Sequence, residues 1–492
     1  MDPEENLIQQ KISKLKELRK QKINPYPYTF DKGKSSQEIK SGYEESKSGE
    51  QPKGKESYAG RVMRVRRMGK IAFLTVRDEL GDLQVVFKED TTKDFELNEL
   101  LDIGDFIGVE GSVGRTKVGE ISIFAESFQV LCKSVRPLPE KYHGIKDVEI
   151  KYRQRHVDLI MSLDSRKVFK QRHEILRFIR EFLYNRGFIE LETPVLQTVY
   201  GGANARPFIT HHNAQDLDVY LKISPELFLK RLIIGGFEKV FDLGKCFRNE
   251  GIDTNHNPEF TMLELYQAYA DYNDMMEITE TIIRECAKKV FGKTKFFFRG
   301  QEIDIGKPFR KLRMVDAIKE LAGIDVSVKS TEELKEIVDS FSDVELKGEI
   351  TRGLLINTIF EQACEQKLAQ PTFILDYPIE VCPLTKAHRK DDGFTERFEL
   401  FIAGSEYANA YSELNDPLDQ KERFNKQERD RELGDEEAMP KDNDFIQSVE
   451  YGLPPTGGLG IGIDRLIVLL TEQDSIRDVI PFVLLKPKEQ GE

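Results

Sequence analysis

The sequence predicts an α+β protein of two parts, a small five-stranded β-barrel followed by a larger, mostly antiparallel sheet flanked by helices. Two patterns carry this. From Tyr58 to about Cys132 the chain reads as short strands separated by glycine turns, whereas beyond residue 165 strands and helices intersperse without strict alternation. Its 492 residues suffice for two or three domains. Apolar residues at 39% and charged residues at 32% fit a large core beneath a heavily charged surface. No apolar run of about 18 residues occurs, so neither a membrane span nor a membrane partner is expected. The start mixes Asp2, Glu4 and Glu5 with lysines and lacks an apolar stretch, which predicts a cytoplasmic protein. Cys132, Cys246, Cys286, Cys364 and Cys382 are far apart and read as free thiols. The adjacent pair His211–His212 has no cysteine near it, so no zinc site is expected. A net charge of −13 decides nothing about RNA, because an acidic protein can still carry a local basic face.

In chain order, residues 5–22 place Leu7, Ile8, Ile12, Leu15 and Leu18 at helical spacing among lysines. This is either a helix packed on the body or a basic helix that contacts RNA. Asn24–Pro27 stops it, and residues 31–57 read as a solvated, partly flexible linker. Strands are expected at Tyr58–Arg67, Ile71–Asp78, Leu83–Lys88, Phe106–Val113 and Glu120–Leu131, with a short helix at Asp94–Leu101. Five strands with a helix between the third and fourth suggest an OB-type barrel, a common binder of single-stranded nucleic acid. Arg61, Arg64, Arg66, Arg67 and Lys70 give its first hairpin a basic edge. A Pro-rich stretch, Arg136–Pro139, follows. The expected division is therefore an N-terminal helix and linker at 1–56, the barrel at 57–133, a hinge at 134–164 and the larger domain at 165–492. That domain opens with a strong helix over Arg166–Arg186, ended by Gly187. Strand-like runs follow at Phe188–Leu191, Val219–Ile223, Lys239–Leu243, Phe260–Tyr266, Arg397–Ile402 and Leu459–Ile463. No Walker-type phosphate loop occurs.

Three segments carry chemistry. Phe247–Tyr266 reads as strand, polar loop, strand, so Arg248 and Glu250 share one face, and Phe260, Met262, Glu264 and Tyr266 another. Charges on a buried sheet face must pair or bind something. The alternatives are structural ion pairs or a pocket for a zwitterion and a nucleotide. In Glu399–Glu413, two carboxylates, Glu399 and Glu406, flank a tight turn and could hold a hard divalent cation; a solvated acidic hairpin is the other reading. Asn409, Tyr411 and Glu413 alternate cleanly, and Glu406 joins their face only if a bulge intervenes. In Gly457–Arg465, glycines at alternate positions, Gly460 among them, clear one face for a flat ligand, and Arg465 opens the next helix within reach of a phosphate.

These three segments, in this order, resemble the defining motifs of the class II aminoacyl-tRNA synthetases. The remaining motif of that family is similar to the end of the long helix together with Gly187–Pro194. With the N-terminal barrel, the chain resembles the subclass that handles lysine, aspartate and asparagine. Residues 201–213, 247–272 and 412–416 are similar in wording to its lysine-handling members.

The resemblance implies a class II synthetase catalytic domain that activates L-lysine with ATP and passes it to the 3′ end of tRNA-Lys, with Mg2+ as cofactor. It implies a catalytic pair, Arg248 and Arg465, and an ATP site of Arg248, His256, Asn257, Phe260, Glu399, Gly460 and Arg465. Glu399 and Glu406 would hold the metal. Gly202, Glu226, Glu250, Glu264, Tyr266, Asn409, Tyr411 and Glu413 would form the lysine pocket, with Glu226 and Glu264 taking the α-amino group and Glu413 and Tyr266 the ε-ammonium. Phe73, Gln84 and Glu120 would meet the anticodon. A homodimer through Pro194 and the preceding helix is implied as well.

Overall fold

The computed structural model describes residues 3–49, 52–139, 148–342, 344, 346–435 and 438–487. The chain divides into two compact units, residues 1–163 and 164–492.

In the first unit, β1 (Lys53–Met68), β2 (Ile71–Arg77), β3 (Asp82–Lys88), β4 (Phe106–Arg115) and β5 (Ile121–Cys132) close into a barrel of order β1-β2-β3-β5-β4. Leu74, Val76, Leu83, Val85, Ile107, Val109 and Ile123 alternate inward and make its core. The register of β1 shifts between Val62 and Arg64, which bends the strand so that it pairs with β2 at one end and β4 at the other. The helix expected at Asp94–Leu101 is a 3-10 turn, Phe95–Leu100, whose Asn98 and Leu101 carbonyls accept from Arg67.

The N-terminal helix Pro3–Lys20 packs on the barrel. Leu18 is fully buried, Lys11 Nζ donates to the Ile103 carbonyl at 2.7 Å, and Lys14 pairs with Asp102 at 2.6 Å. Two of its lysines are thus committed to the barrel. The flexible linker expected over 31–57 is overturned. Ser35 and Glu38 form a reciprocal capping box that starts a helix, Ser36–Gly42, and this helix buries Ile39. Polar composition concealed that signal, and β1 also begins five residues earlier than expected, at Lys53 instead of Tyr58. Residues 140–147 of the expected hinge lie outside the described residues. Its remainder holds two short helices, Val148–Arg153 and Arg155–Met161.

The second unit opens with the helix Leu163–Asn185, which buries Val168, Ile175, Ile179 and Leu183 along one stripe and ends before Gly187 (φ +82°). Its strands are β6 (Ile189–Glu190), β7 (Leu196–Gln197), β8 (Ile209–His212), β9 (Leu217–Leu221), β10 (Lys239–Phe247), β11 (Glu259–Ala268), β12 (Lys295–Phe298), β13 (Gln301–Asp304), β14 (Arg310–Arg313), β15 (Thr372–Leu375), β16 (Arg397–Ile402), β17 (Ser405–Ser412) and β18 (Thr456–Gly462). Eight form one sheet in the order β14-β15-β16-β17-β18-β11-β10-β6. It is antiparallel except for the edge pairs β6–β10 and β14–β15. A three-stranded sheet, β7-β9-β8, and the hairpin β12-β13 complete the unit. Among the described residues no helix is long and apolar enough to cross a membrane.

Candidate functional site

The site is laid out by strand register. On β11, Phe260, Met262, Glu264 and Tyr266 all point into one cavity, as their alternation requires. The neighbouring β18 places Gly460 opposite Glu264 and Gly458 opposite Tyr266, while β17 on its other side sets Asn409 against Gly460 and Tyr411 against Gly458. Glu264, Tyr266, Asn409 and Tyr411 therefore each flank a glycine. A Cβ on Gly458 would run into the Tyr266 ring and Glu413 Oε1, and one on Gly460 would meet Met262 Cε. Three strands thus make a trough whose middle is bare backbone.

A bulge intervenes between Glu406 and Asn409, the condition for Glu406 to join their face. Leu400 pairs with Ala408 but Phe401 pairs with Glu406, so Tyr407 is the extra residue. It brings Glu406 onto the cavity wall with Glu399 and Asn409.

At the end of the cavity beside Glu226, Glu264 accepts from Ser224 Oγ at 2.7 Å and from the Tyr266 hydroxyl at 3.1 Å. Burial, reinforced by the neighbouring charge of Glu226, outweighs these donors and lifts Glu264 to about 8. Glu226 Oε1 accepts from the Tyr411 hydroxyl at 2.7 Å and from Lys230 at 2.6 Å. Gly202 sits at φ +87° beside these groups, where a Cβ would strike Ser224 Oγ and Glu226 Cβ. Glu413 lies below the lining, 1% exposed, ion-paired with Lys230.

At the other end, Arg248 follows β10 with its guanidinium 5.2 Å from the Phe260 ring centre. Its Nε is buried without a hydrogen-bond partner, as is Asn257 Oδ1. Buried polar atoms of this kind point to a ligand. His256 bridges Asp253 (2.8 Å) and Arg465 (2.8 Å), and Arg465 also donates to the Glu406 carbonyl at 2.8 Å. Glu399 accepts from the Tyr377 hydroxyl at 2.8 Å and pairs with Arg397, and burial still raises its carboxyl above the usual range. Magnesium binds through one or two carboxylates and completes its shell with water and substrate phosphates. Glu399 and Glu406 are a donor set of that kind. No cluster of three or more His, Cys, Asp or Glu forms a closed cage among the described residues.

The expectation for Glu250 fails in part. It was to share a strand face with Arg248, but β10 ends at Phe247, and Glu250 is an exposed residue at the cavity rim. The asparagine, glycine and acidic residues that follow Arg248 release the backbone from the ladder. Sequence reasoning missed Ser224, Lys230, Tyr377 and Arg397. Arg397 Nε donates to Asn409 Oδ1 at 3.1 Å, and its guanidinium lies 4.5 Å from the Tyr377 ring centre.

In the first unit Phe73 and Gln84 are half-buried on the outer barrel face, where Phe73 pairs across with Arg66, and Thr75, beside Gln84, pairs across with Arg64. Gln84 Oε1 accepts from Ser122 Oγ at 2.9 Å, and the exposed Glu120 precedes β5. Arg61 is turned to the Gly104 carbonyl and the Phe106 ring, and Arg67 to Asn98, which leaves Arg64 and Arg66 exposed on this face.

The model of the family described as tRNA synthetases class II (D, K and N) matches residues 147–486. The chain belongs to the class II tRNA synthetases. A second family model, an OB-fold nucleic acid binding domain, matches residues 57–131 of this synthetase. A protein of Clostridium novyi (strain NT) named lysine–tRNA ligase is 52% identical over 98% of this chain and 94% of its own length. A Clostridium botulinum protein (strain Langeland / NCTC 10281 / Type F) of the same name is 52% identical over 99% and 97%. One from Fervidobacterium nodosum is 50% identical over 97% and 94%.

Proposed function

We infer that the chain activates lysine with ATP and transfers the lysyl group to the 3′ end of tRNA. The pocket carries the substrate assignment. Three carboxylates, Glu226, Glu264 and Glu413, with the phenols of Tyr266 and Tyr411, gather around one end of the cavity. That is an acceptor set for two ammonium groups, and the names of the relatives agree with it. Aspartate would need a free cation there, and Lys230 is already held between two carboxylates.

In this reading Arg248, with its unpartnered Nε, holds the lysine carboxylate against the α-phosphate. The carboxylate is ionised at neutral pH and attacks in line, so positioning and charge stabilisation replace a general base. Phe260 and Arg465 sandwich the adenine over the bare backbone at Gly460, and His256 and Asn257 close over the nucleotide. Glu399 and Glu406 would hold Mg2+, which when bound offsets triphosphate charge. Glu226 and Glu264, beside the Gly202 backbone, take the α-amino group; Glu413 and Tyr266 take the ε-ammonium, between Asn409 and Tyr411. Glu250 acts at the rim. Phe73 stacks on an anticodon base while Gln84 and Glu120 read base edges.

A homodimer through Pro194 and the long helix is supported by the apolar surface of the adjoining small sheet, where Leu196 is 52% and Ile209 64% exposed. A cytoplasmic location is supported by five cysteines that all stand free. The deciding experiment is ATP–pyrophosphate exchange screened over the amino acids, followed by charging of tRNA with labelled lysine. Exchange driven by lysine alone is expected; exchange driven by aspartate or asparagine would overturn the assignment.

A further inference from the structure

Lys230 lies one turn after Glu226 on the helix Glu226–Ile234. On a surface such a pair would be an ordinary helix ion pair. Here the Lys230 side chain has no exposed surface, and its Nζ contacts Glu226 Oε1 at 2.6 Å and pairs with Glu413 as well. Glu413 Oε2 has Lys230 as its partner, and its Oε1 is buried without a hydrogen bond. A buried ammonium between two buried carboxylates is costly to assemble, and a helix that needed only packing would carry an apolar residue there.

The groups around this ion pair come from every surrounding element. Its own helix supplies Glu226, and β11 sets Glu264 and Tyr266 beside Glu226. From β17 comes Tyr411, whose ring centre is 5.6 Å from Nζ, and just beyond that strand lies Glu413. The helix Asn443–Glu450 presents Phe445 at 5.8 Å, while its cap Asp442 is engaged by Arg231 at 2.8 Å. Arg248 approaches Glu264 from the end of β10. Burial opposes the Lys230 charge, but Glu226 and Glu413 outweigh it and keep the ammonium protonated.

The charges then count as follows. Glu226, Glu264 and Glu413 bring three negative charges, and a substrate with two ammonium groups brings two positive ones. Its carboxylate is answered by Arg248. One negative charge is left over, and Lys230 is the cation placed to match it. We propose that Lys230 is a positioning and specificity residue, whose fixed ammonium supplies the third positive charge that keeps all three carboxylates ionised around an amino acid bearing two ammonium groups. The inference rests on the lysine reading above. It adds that the two ammonium subsites are coupled through one internal cation.

The test is lysine-dependent ATP–pyrophosphate exchange by the full chain, followed across neutral and mildly alkaline pH, for the unaltered protein, Lys230→Met and Lys230→Arg. Without the cation, carboxylates that must be ionised to hold lysine keep their protons to higher pH. In Lys230→Met the acid limb of kcat/KM for lysine is expected to move alkaline by about one pH unit or more. Near neutrality this means a roughly tenfold or greater rise in lysine KM, with the ATP KM within about twofold. Lys230→Arg keeps the charge and should hold the acid limb in place even if its bulk raises KM. A purely structural lysine would lower Tm and leave the pH profile where it was. An unmoved acid limb in folded Lys230→Met overturns the inference while the lysine reading stands. Should Lys230→Met fail to fold, Lys230→Arg decides, since an acid limb displaced there shows that the charge is not what counts. Absence of lysine-dependent exchange in the unaltered protein overturns the lysine reading, and the inference with it.

Discussion

Glu264 has a carboxyl lifted to about 8, so the folded pocket holds a proton at neutral pH that the unfolded chain would have lost. A raised acid binds a cationic ligand at the expense of that proton. Lysine binding near pH 7 should therefore release up to about one proton, the release fading as pH rises above the Glu264 value. Calorimetric titration in buffers of different ionisation enthalpy measures it directly; enthalpies that do not depend on the buffer would contradict it. Gly458 makes a steric prediction, because its missing side chain is what admits the Tyr266 ring and Glu413. Gly458→Ala should raise lysine KM by about tenfold or more and leave ATP binding far less affected, as expected for a site forced to shift by a methyl group. At this scale the sequence was legible wherever residues alternate on a strand. Glu264, Tyr266, Asn409 and Tyr411 are legible that way, and the bulge at Tyr407 lies between Glu406 and Asn409, where a shared face requires one. Lys230 was not legible, because four residues after a glutamate a lysine looks like a solvated partner. Ser224, Tyr377 and Arg397 were missed because only the fold brings their separate segments against Glu264, Glu399 and Asn409.

Between elements, one buried charged junction near the site is a strap across three of them. Arg172 of the long helix contacts Asp464 Oδ1 at 2.5 Å and Thr261 Oγ1 at 2.9 Å, and the other Asp464 oxygen accepts from the Thr261 amide at 2.7 Å. All three residues are buried. Removing one member leaves a buried charge without its counter-ion, so Arg172→Met should cost about 3–5 kcal/mol of stability. Urea denaturation would read this, and a loss below about 1 kcal/mol would show the strap to be dispensable. Long amphipathic elements were legible at this scale, the helix Leu163–Asn185 best of all, because an apolar stripe repeated over several turns outweighs local noise. Short elements in polar surroundings were not. The capped helix Ser36–Gly42 was hidden by its lysines and serines, and the end of β10 at Phe247 could not be seen from alternation, which has no means of marking where a strand stops.

For the molecule as a whole, each unit buries its own apolar cluster, so a change on the barrel face should leave amino-acid activation untouched. Phe73→Ala should reduce tRNA charging by about tenfold or more, from loss of a stacking contact, with the rate of lysine-dependent pyrophosphate exchange unchanged. Equal charging by the variant would remove Phe73 from the anticodon site. The sheet order also bears on how the protein is made. The hairpins β10–β11 and β16–β17 are each local, but they become neighbours only through β18, which inserts between β11 and β17. Residues 456–462 are therefore the keystone of the cavity and among the last of its parts to leave the ribosome. The barrel, complete by Cys132, can close while more than half of the chain is still unmade. A growing chain would thus own a finished nucleic-acid face long before it could activate an amino acid, and the activity would arrive in a single late step.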